Sequence, residues 1–217
     1  LRTKLFGNGR FFIQDPASML PAHLLEPEAG DRILDLCAAP GGKTTHLAEL
    51  ARGKAAIVAL DRHLWRAGLI VENAQRLATP GIMVACADGT QPPVLPGFDR
   101  VLVDAPCTGL GTLRRHPDLK WRVKREDPAR LAETQRALLR SAVQLCKNAG
   151  VIVYSVCTLS SEETEGVVRS IVDEGAVVPE DGPEWLDQWK TETGKYRTRL
   201  DEGGLDGFFL TRLRKAC

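Results

Sequence analysis

The sequence predicts an α/β fold, with a mostly parallel sheet covered by helices on both faces. Three observations lead there. From Asp31 onward, short apolar runs alternate with stretches of helical period. Parallel strands need a crossover between them, usually a helix, so this alternation builds a sheet buried on both sides. The chain has 217 residues, 43% of them hydrophobic, enough to bury one ordinary core. No internal repeat, low-complexity segment or linker divides it.

Taken in order, Phe11 to Leu25 reads as a lead-in segment, with "QDPASMLPAHLL" as a short helix. Residues 1–30 are expected to pack on a domain formed by 31–217. Arg32–Leu36, Ala55–Asp61, Ile82–Ala87, Phe98–Asp104 and Gly150–Val156 read as strands. Lys43–Arg52, Leu64–Leu77, Pro128–Lys147 and Ser160–Asp173 read as helices. The last opens with Ser160-Ser161-Glu162-Glu163, an S-x-x-E capping box, followed by an apolar face at Val167, Val168, Ile171 and Val172. Near the end, Ala176–Pro179 and Gly207–Leu213 suit an antiparallel pair. The intervening "EWLDQWKTETGKYRTRL" reads as a surface loop.

The formal net charge is +1, so global charge does not point to a polyanionic partner and local clusters must. No apolar run is long enough to span a membrane, and "LRTK" is not a secretory signal. The chain starts without Met, which points to a fragment or processed piece. Its six cysteines are scattered, with no C-x-x-C pair and no zinc spacing, as in a reduced, cytosolic protein. Cys86, in a strand, and Cys146, on a helix, read as core residues; Cys217 is a chain end.

The turn "DLCAAPGGKTTH" joins the first strand to a helix. A Walker loop needs G-x-x-x-x-G-K-[ST], and Cys37 stands where its first glycine belongs. The dinucleotide fingerprint G-x-G-x-x-G also fails, because Gly41 and Gly42 are adjacent. What remains is a short glycine turn and a helix N-terminus, suited to a carboxylate or hydroxyl cluster rather than a pyrophosphate. Asp61 ends the second strand roughly 20 residues further on, as a ribose-binding acid would. Asp88 follows the third strand, placed to meet an adenine. An adenosyl ligand without pyrophosphate points to S-adenosylmethionine.

The fourth strand runs into "VDAPCTGLGTLRRHPDLKW" and the fifth into "YSVCTLSSEE". Each carries a cysteine just past its end, Cys107 and Cys157. If the strands are neighbours, both thiols and Asp104 face one cleft beside the cofactor. The start of the helix after Cys157 would lower its thiol pKa. A nucleophilic thiol beside a methyl donor suits pyrimidine C5, a poor nucleophile until sulfur adds to C6. The four histidines show no pattern that would support a cysteine protease.

"LDLCAAPGGKTTHL", "VDAPCTGLGTLRRHPDLKW", "YSVCTLSSEE" and "LDGFFLTRLRK" together resemble the Sun/Fmu family of RNA cytosine-5 methyltransferases, in its bacterial ribosomal-RNA branch. The resemblance runs from about Gln14 to Lys215. It implies a Rossmann-like class I S-adenosylmethionine-dependent methyltransferase fold with a mixed, seven-stranded sheet, and residues 31–217 as its catalytic domain. It implies that Cys157 is the nucleophile adding to C6, that Cys107 helps to release the methylated RNA, and that Asp104 contacts the N3 and amine edge of the cytosine. The cofactor contacts it implies are Cys37, Ala38, Ala39, Pro40, Gly41, Gly42, Lys43, Asp61, Arg66, Asp88, Gly89 and Asp104. Val156 replaces the threonine usual before the nucleophile, and Thr164 an asparagine that often follows the Glu pair.

Arg114, Arg115, His116, Lys120, Arg122, Lys124 and Arg125 follow the Pro-Cys motif, with Trp121 among them. Such a stretch can hold phosphates and stack a base, so it is the candidate RNA contact, although charge runs are often only solvated. The expected partner is small-subunit ribosomal RNA. A cytoplasmic monomer without metal is expected. Two functions are open: a methyltransferase acting on C5 of cytosine in RNA, or a cofactor-binding RNA module without catalysis. Family members often add an N-terminal RNA-binding domain, for which this chain has no room.

Overall fold

The computed structural model describes residues 3–200 and 203–217. The strands are β1 (Arg32–Asp35), β2 (Ala56–Asp61), β3 (Ile82–Cys86), β4 (Phe98–Asp104), β5 (Cys146–Val156), β6 (Val177–Pro179), β7 (Lys190–Glu192), β8 (Lys195–Arg197) and β9 (Phe209–Lys215). The α-helices are α1 (Lys4–Gly7), α2 (Pro16–Leu25), α3 (Gly42–Leu50), α4 (Leu64–Arg76), α5 (Leu119–Arg122), α6 (Asp127–Leu145) and α7 (Glu165–Val172). Among the described residues one sheet holds all the strands, in the order β3-β2-β1-β4-β5-β9-β8-β7. The first five are parallel, and β9 lies antiparallel to β5.

Alternation along the central strands sorts side chains into two layers. Val101 and Val103 join Leu138, Leu139 and Ile171 on the face covered by α6 and α7. Leu102 joins Ala17, Leu24 and Leu47 on the face covered by α2 and α3. α2 begins at Asp15, whose carboxylate accepts the Ala17 N–H at 2.9 Å, a standard N-cap. It packs on β4, β5, β9 and α3. No helix of the described residues is long and apolar enough to cross a membrane.

Five expectations need correction. The sheet has nine strands rather than seven. The extra pairing comes from "EWLDQWKTETGKYRTRL", which is no loop: it forms a 3₁₀ turn, Glu184–Trp189, and the hairpin β7–β8. β8 and β6 share one edge of β9, at its two ends. The capping box does not form. α7 begins at Glu165, and the Glu163 side chain turns inward to Thr108. Cys146 opens β5 rather than lying on a helix, though it is buried. Cys86 is exposed, because β3 is the last strand of the sheet.

Candidate active site at the carboxyl ends of the strands

β4 and β5 are parallel neighbours with Asp104 opposite Ser155, so the segments that leave them emerge side by side. That register brings Cys107 and Cys157 together, with their sulfurs 3.3 Å apart. Both line a cavity of about 220 Å³ that also touches Cys37, Ala39, Asp61, Arg66, Asp88, Gly89 and Asp104. An adjoining cavity of about 190 Å³ shares Cys37, Ala39 and Asp104 and adds Ala38, Pro40, Gly42 and Lys43. Gly41 lines neither cavity.

Lys43 crosses from α3 to bind Asp104 at 2.7 Å and the Ser18 hydroxyl at 2.9 Å. Asp104 also accepts from Ser155 at 2.5 Å. At the other end, Asp61 accepts the His63 N–H at 3.0 Å, and Arg66 lies 3.4 Å from its second oxygen. Asp88 takes the N–H and hydroxyl of Thr90 on one oxygen, bonds that hold its carboxyl below the usual range. Asp35, fully buried beneath the loop, accepts from the Thr44 hydroxyl at 2.8 Å. Burial pushes its pKa up to about 7.

Gly41, Gly42 and Gly89 leave little room for a side chain. Gly41 has φ +101° and caps α3, with a Cβ there only 3.1 Å from the Ile70 backbone. A Cβ on Gly42 would lie 2.7 Å from the Phe12 ring, and one on Gly89 2.8 Å from the Leu36 carbonyl.

The thiols are not equivalent. Cys107 and Cys157 share a hydrogen bond through their sulfurs, and that bond together with burial pushes the Cys107 thiol well above the ordinary range. The same bond holds the Cys157 thiol down, assisted by Lys43 and opposed by burial and Asp104. No helix terminus contributes as expected, since α7 starts only at Glu165. Burial, then Asp35, raises the Cys37 thiol, which makes it a poor nucleophile.

The basic stretch divides. Arg115 pairs with Asp206, which is fully buried, and with Asp15. Arg122 pairs with Asp118, the residue that precedes α5. Arg114, Lys124 and Arg125 are exposed; Trp121 is 81% exposed, with the Lys120 ammonium 4.8 Å from its ring. Nothing in the sequence joins Thr108, Gln135 and Glu163, a buried set behind Cys107. An acid held inside the fold is legible only once its partners are placed.

Comparison with known proteins gives a consistent result. Residues 22–214 match the family model for the 16S rRNA methyltransferase RsmB/F. The chain is 40% identical over 225 aligned residues to the probable ribosomal RNA small subunit methyltransferase B of Bacillus subtilis, covering 98% of this chain and 49% of that protein. It is 43% identical to ribosomal RNA small subunit methyltransferase B of Thermus thermophilus, over 93% of this chain and 49% of that one. The chain therefore spans about half the length of the curated relatives it matches. Among solved structures, NSun6 from Pyrococcus horikoshii with SFG superposes with a TM-score of 0.91 at 34% identity, covering 100% of this chain and 56% of that one. At that similarity the fold is the Rossmann-like class I S-adenosylmethionine-dependent methyltransferase fold.

Proposed function

The chain belongs to the 16S rRNA methyltransferase RsmB/F family, and from that premise we propose that it methylates C5 of a cytosine in RNA, with small-subunit ribosomal RNA as substrate. The observation that carries this reading is the pair of inequivalent thiols, 3.3 Å apart, lining one cavity with Asp61, Asp88 and Asp104. The alternative, a binding module without catalysis, gives no reason for two thiols and Asp104 to converge.

The cavities suit S-adenosylmethionine, of which SFG is an analogue. Asp61, buried at a strand end with one oxygen only 3.4 Å from a single Arg66 nitrogen, retains acceptor capacity for ribose hydroxyls. α3 starts without a side-chain cap, so its first-turn N–H groups favour a carboxylate. When bound, S-adenosylmethionine supplies the methyl group.

The protein's own residues do the rest. RNA must present an extruded base for any side chain to reach C6. Cys157, the more readily ionised thiol, forms the S–C6 bond, and the electron pair displaced from the C5–C6 double bond makes C5 nucleophilic. Asp104, held by Lys43 and Ser155, faces the N3 and amine edge. Once C5 carries the methyl group, its proton passes to water, the C5–H electron pair reforms the C5–C6 double bond, and the Cys157 sulfur departs with the S–C6 pair as thiolate. Cys107, adjoining that sulfur, assists this elimination. Arg114, Lys124, Arg125 and Trp121 provide phosphate and stacking contacts at the rim.

Transfer of labelled methyl groups from S-adenosylmethionine to unmodified small-subunit ribosomal RNA, with recovery of 5-methylcytosine, tests the activity. Asp61→Ala should weaken binding of S-adenosylmethionine by roughly 1.5–3 kcal/mol in calorimetry, the value of a charge-assisted hydrogen bond. Unchanged affinity would remove Asp61 from the site, and tighter binding of ATP or NAD would reject the reading of the loop.

A further inference from the structure

The Glu163 side chain is completely buried, yet the reaction described above makes no use of it. One carboxylate oxygen accepts the Thr108 N–H at 2.9 Å and a Gln135 side-chain N–H at 3.0 Å. The other accepts the Thr108 hydroxyl at 2.6 Å. Gln135, equally buried, donates again to the Pro106 carbonyl at 2.9 Å. The peptide groups on both sides of Cys107 are thus tied to this pair: the carbonyl before it to Gln135, the N–H after it to Glu163.

The other contacts of this cluster lead to Cys157. The Thr108 hydroxyl lies 2.9 Å from that of Thr158, the residue after Cys157. The Gly111 N–H, in the same loop as Cys107, donates to the Cys157 carbonyl at 2.9 Å. Glu163 itself is anchored by the Tyr154 hydroxyl on its carbonyl at 2.6 Å. A buried N–H that loses its acceptor is costly, so without Glu163 the segment around Cys107 would rearrange to find another.

We propose that Glu163 is a positioning residue that fixes the backbone on either side of Cys107, and so keeps the Cys107 thiol within hydrogen-bond reach of Cys157. The inference rests on the reading of these two cysteines as the reacting pair.

Alkylation of Cys157 by iodoacetamide across pH, located by peptide mass spectrometry, tests it without RNA. The groups facing Cys157 are Cys107, Asp104 and Lys43, with Asp61, Arg62, Arg66 and Asp88 on the same cavity wall. Glu163→Ala should move the alkylation midpoint of Cys157 upward and slow its reaction at neutral pH about threefold or more, as Cys107→Ala should. Glu163→Gln keeps an acceptor for both N–H donors, and the Thr108–Thr158 hydroxyl pair can reverse its direction. It should restore the wild-type profile, a rescue that general loss of stability would not produce. Buried Cys146 reports unfolding: if it reacts rapidly in Glu163→Ala, Thr108→Val, which removes only the hydroxyl bond, should show a smaller shift of the same sign.

An unmoved Cys157 profile in the folded variants, while Cys107→Ala moves it, overturns the positioning role. No shift in Cys107→Ala overturns the thiol contact on which that role depends. Failure of Cys107→Ala to trap RNA would instead count against the proposed reaction and leave the alkylation result intact.

Discussion

At the amino ends of the sheet strands, Arg100 donates to Asp31, to Glu28 and to the Leu25 carbonyl. Arg212 is shared among the Leu24 carbonyl, Glu26 and Glu180, and Arg214 also binds Glu180. At the carboxyl ends, Asp61, Asp88 and Asp104 instead surround a cavity. There Asp35 is buried at the expense of its charge, and two thiols share one hydrogen bond. Both ends are rich in ionisable groups. At one they bind one another and hold the fold; at the other they leave capacity for a ligand.

Breaking the amino end should cost the most stability. Arg212→Ala leaves a buried carbonyl and Glu180 short of a donor, a loss of about 3–5 kcal/mol. At about 2–4 °C per kcal/mol for a chain of this size, thermal unfolding should drop by roughly 6–20 °C. S-adenosylmethionine affinity of the folded protein should not change. A loss of affinity with little loss of stability would erase the contrast between the two ends.

The carboxyl end has a stability cost of its own, which pH should reveal. Asp35 titrates near 3.8 when unfolded and is pushed up to about 7 by burial in the fold. Its folded value is the higher one, so its contribution is complete below 3.8 and is lost as pH rises through 7. Between pH 4 and 8 wild type should lose as much as about 4 kcal/mol relative to Asp35→Asn in urea unfolding. Parallel pH curves for the two proteins would show that Asp35 is not held neutral.

The rim holds both kinds of charge, paired and free of buried partners, on a smaller energy scale. Arg115→Ala strips buried Asp206 of a partner and should cost about 1–3 kcal/mol. Arg114→Ala and Lys124→Ala should each change stability by no more than about 0.5 kcal/mol. Each should lower the salt slope of RNA binding by about 0.7, the value for one phosphate contact on a single strand. An unchanged slope would make them ordinary solvated charges.

What the sequence revealed follows the same division. The strand runs, the glycine turn and the cysteines past β4 and β5 were legible because strand periodicity and turn chemistry are local. Glu163 was misread as a capping-box residue because its partner Thr108 lies 55 positions away. Arg115 looked like its neighbours until Asp206 was in place, 91 positions on. Polar "KTETGKYR" does not read as β7 and β8 because it becomes strand only when β8 pairs with β9 and β7 with β8. Cys86 looked like core because a strand run does not disclose that it is the sheet edge.

Whether the two thiols divide attack from release is decided by denaturing electrophoresis. Each cysteine variant is incubated with S-adenosylmethionine and unmodified small-subunit ribosomal RNA, then resolved under conditions that separate noncovalent complexes. Cys107→Ala should retain a protein–RNA adduct, because Cys157 still attacks while elimination is slowed, and Cys157→Ala should form none. An adduct in Cys157→Ala and none in Cys107→Ala would exchange the two roles.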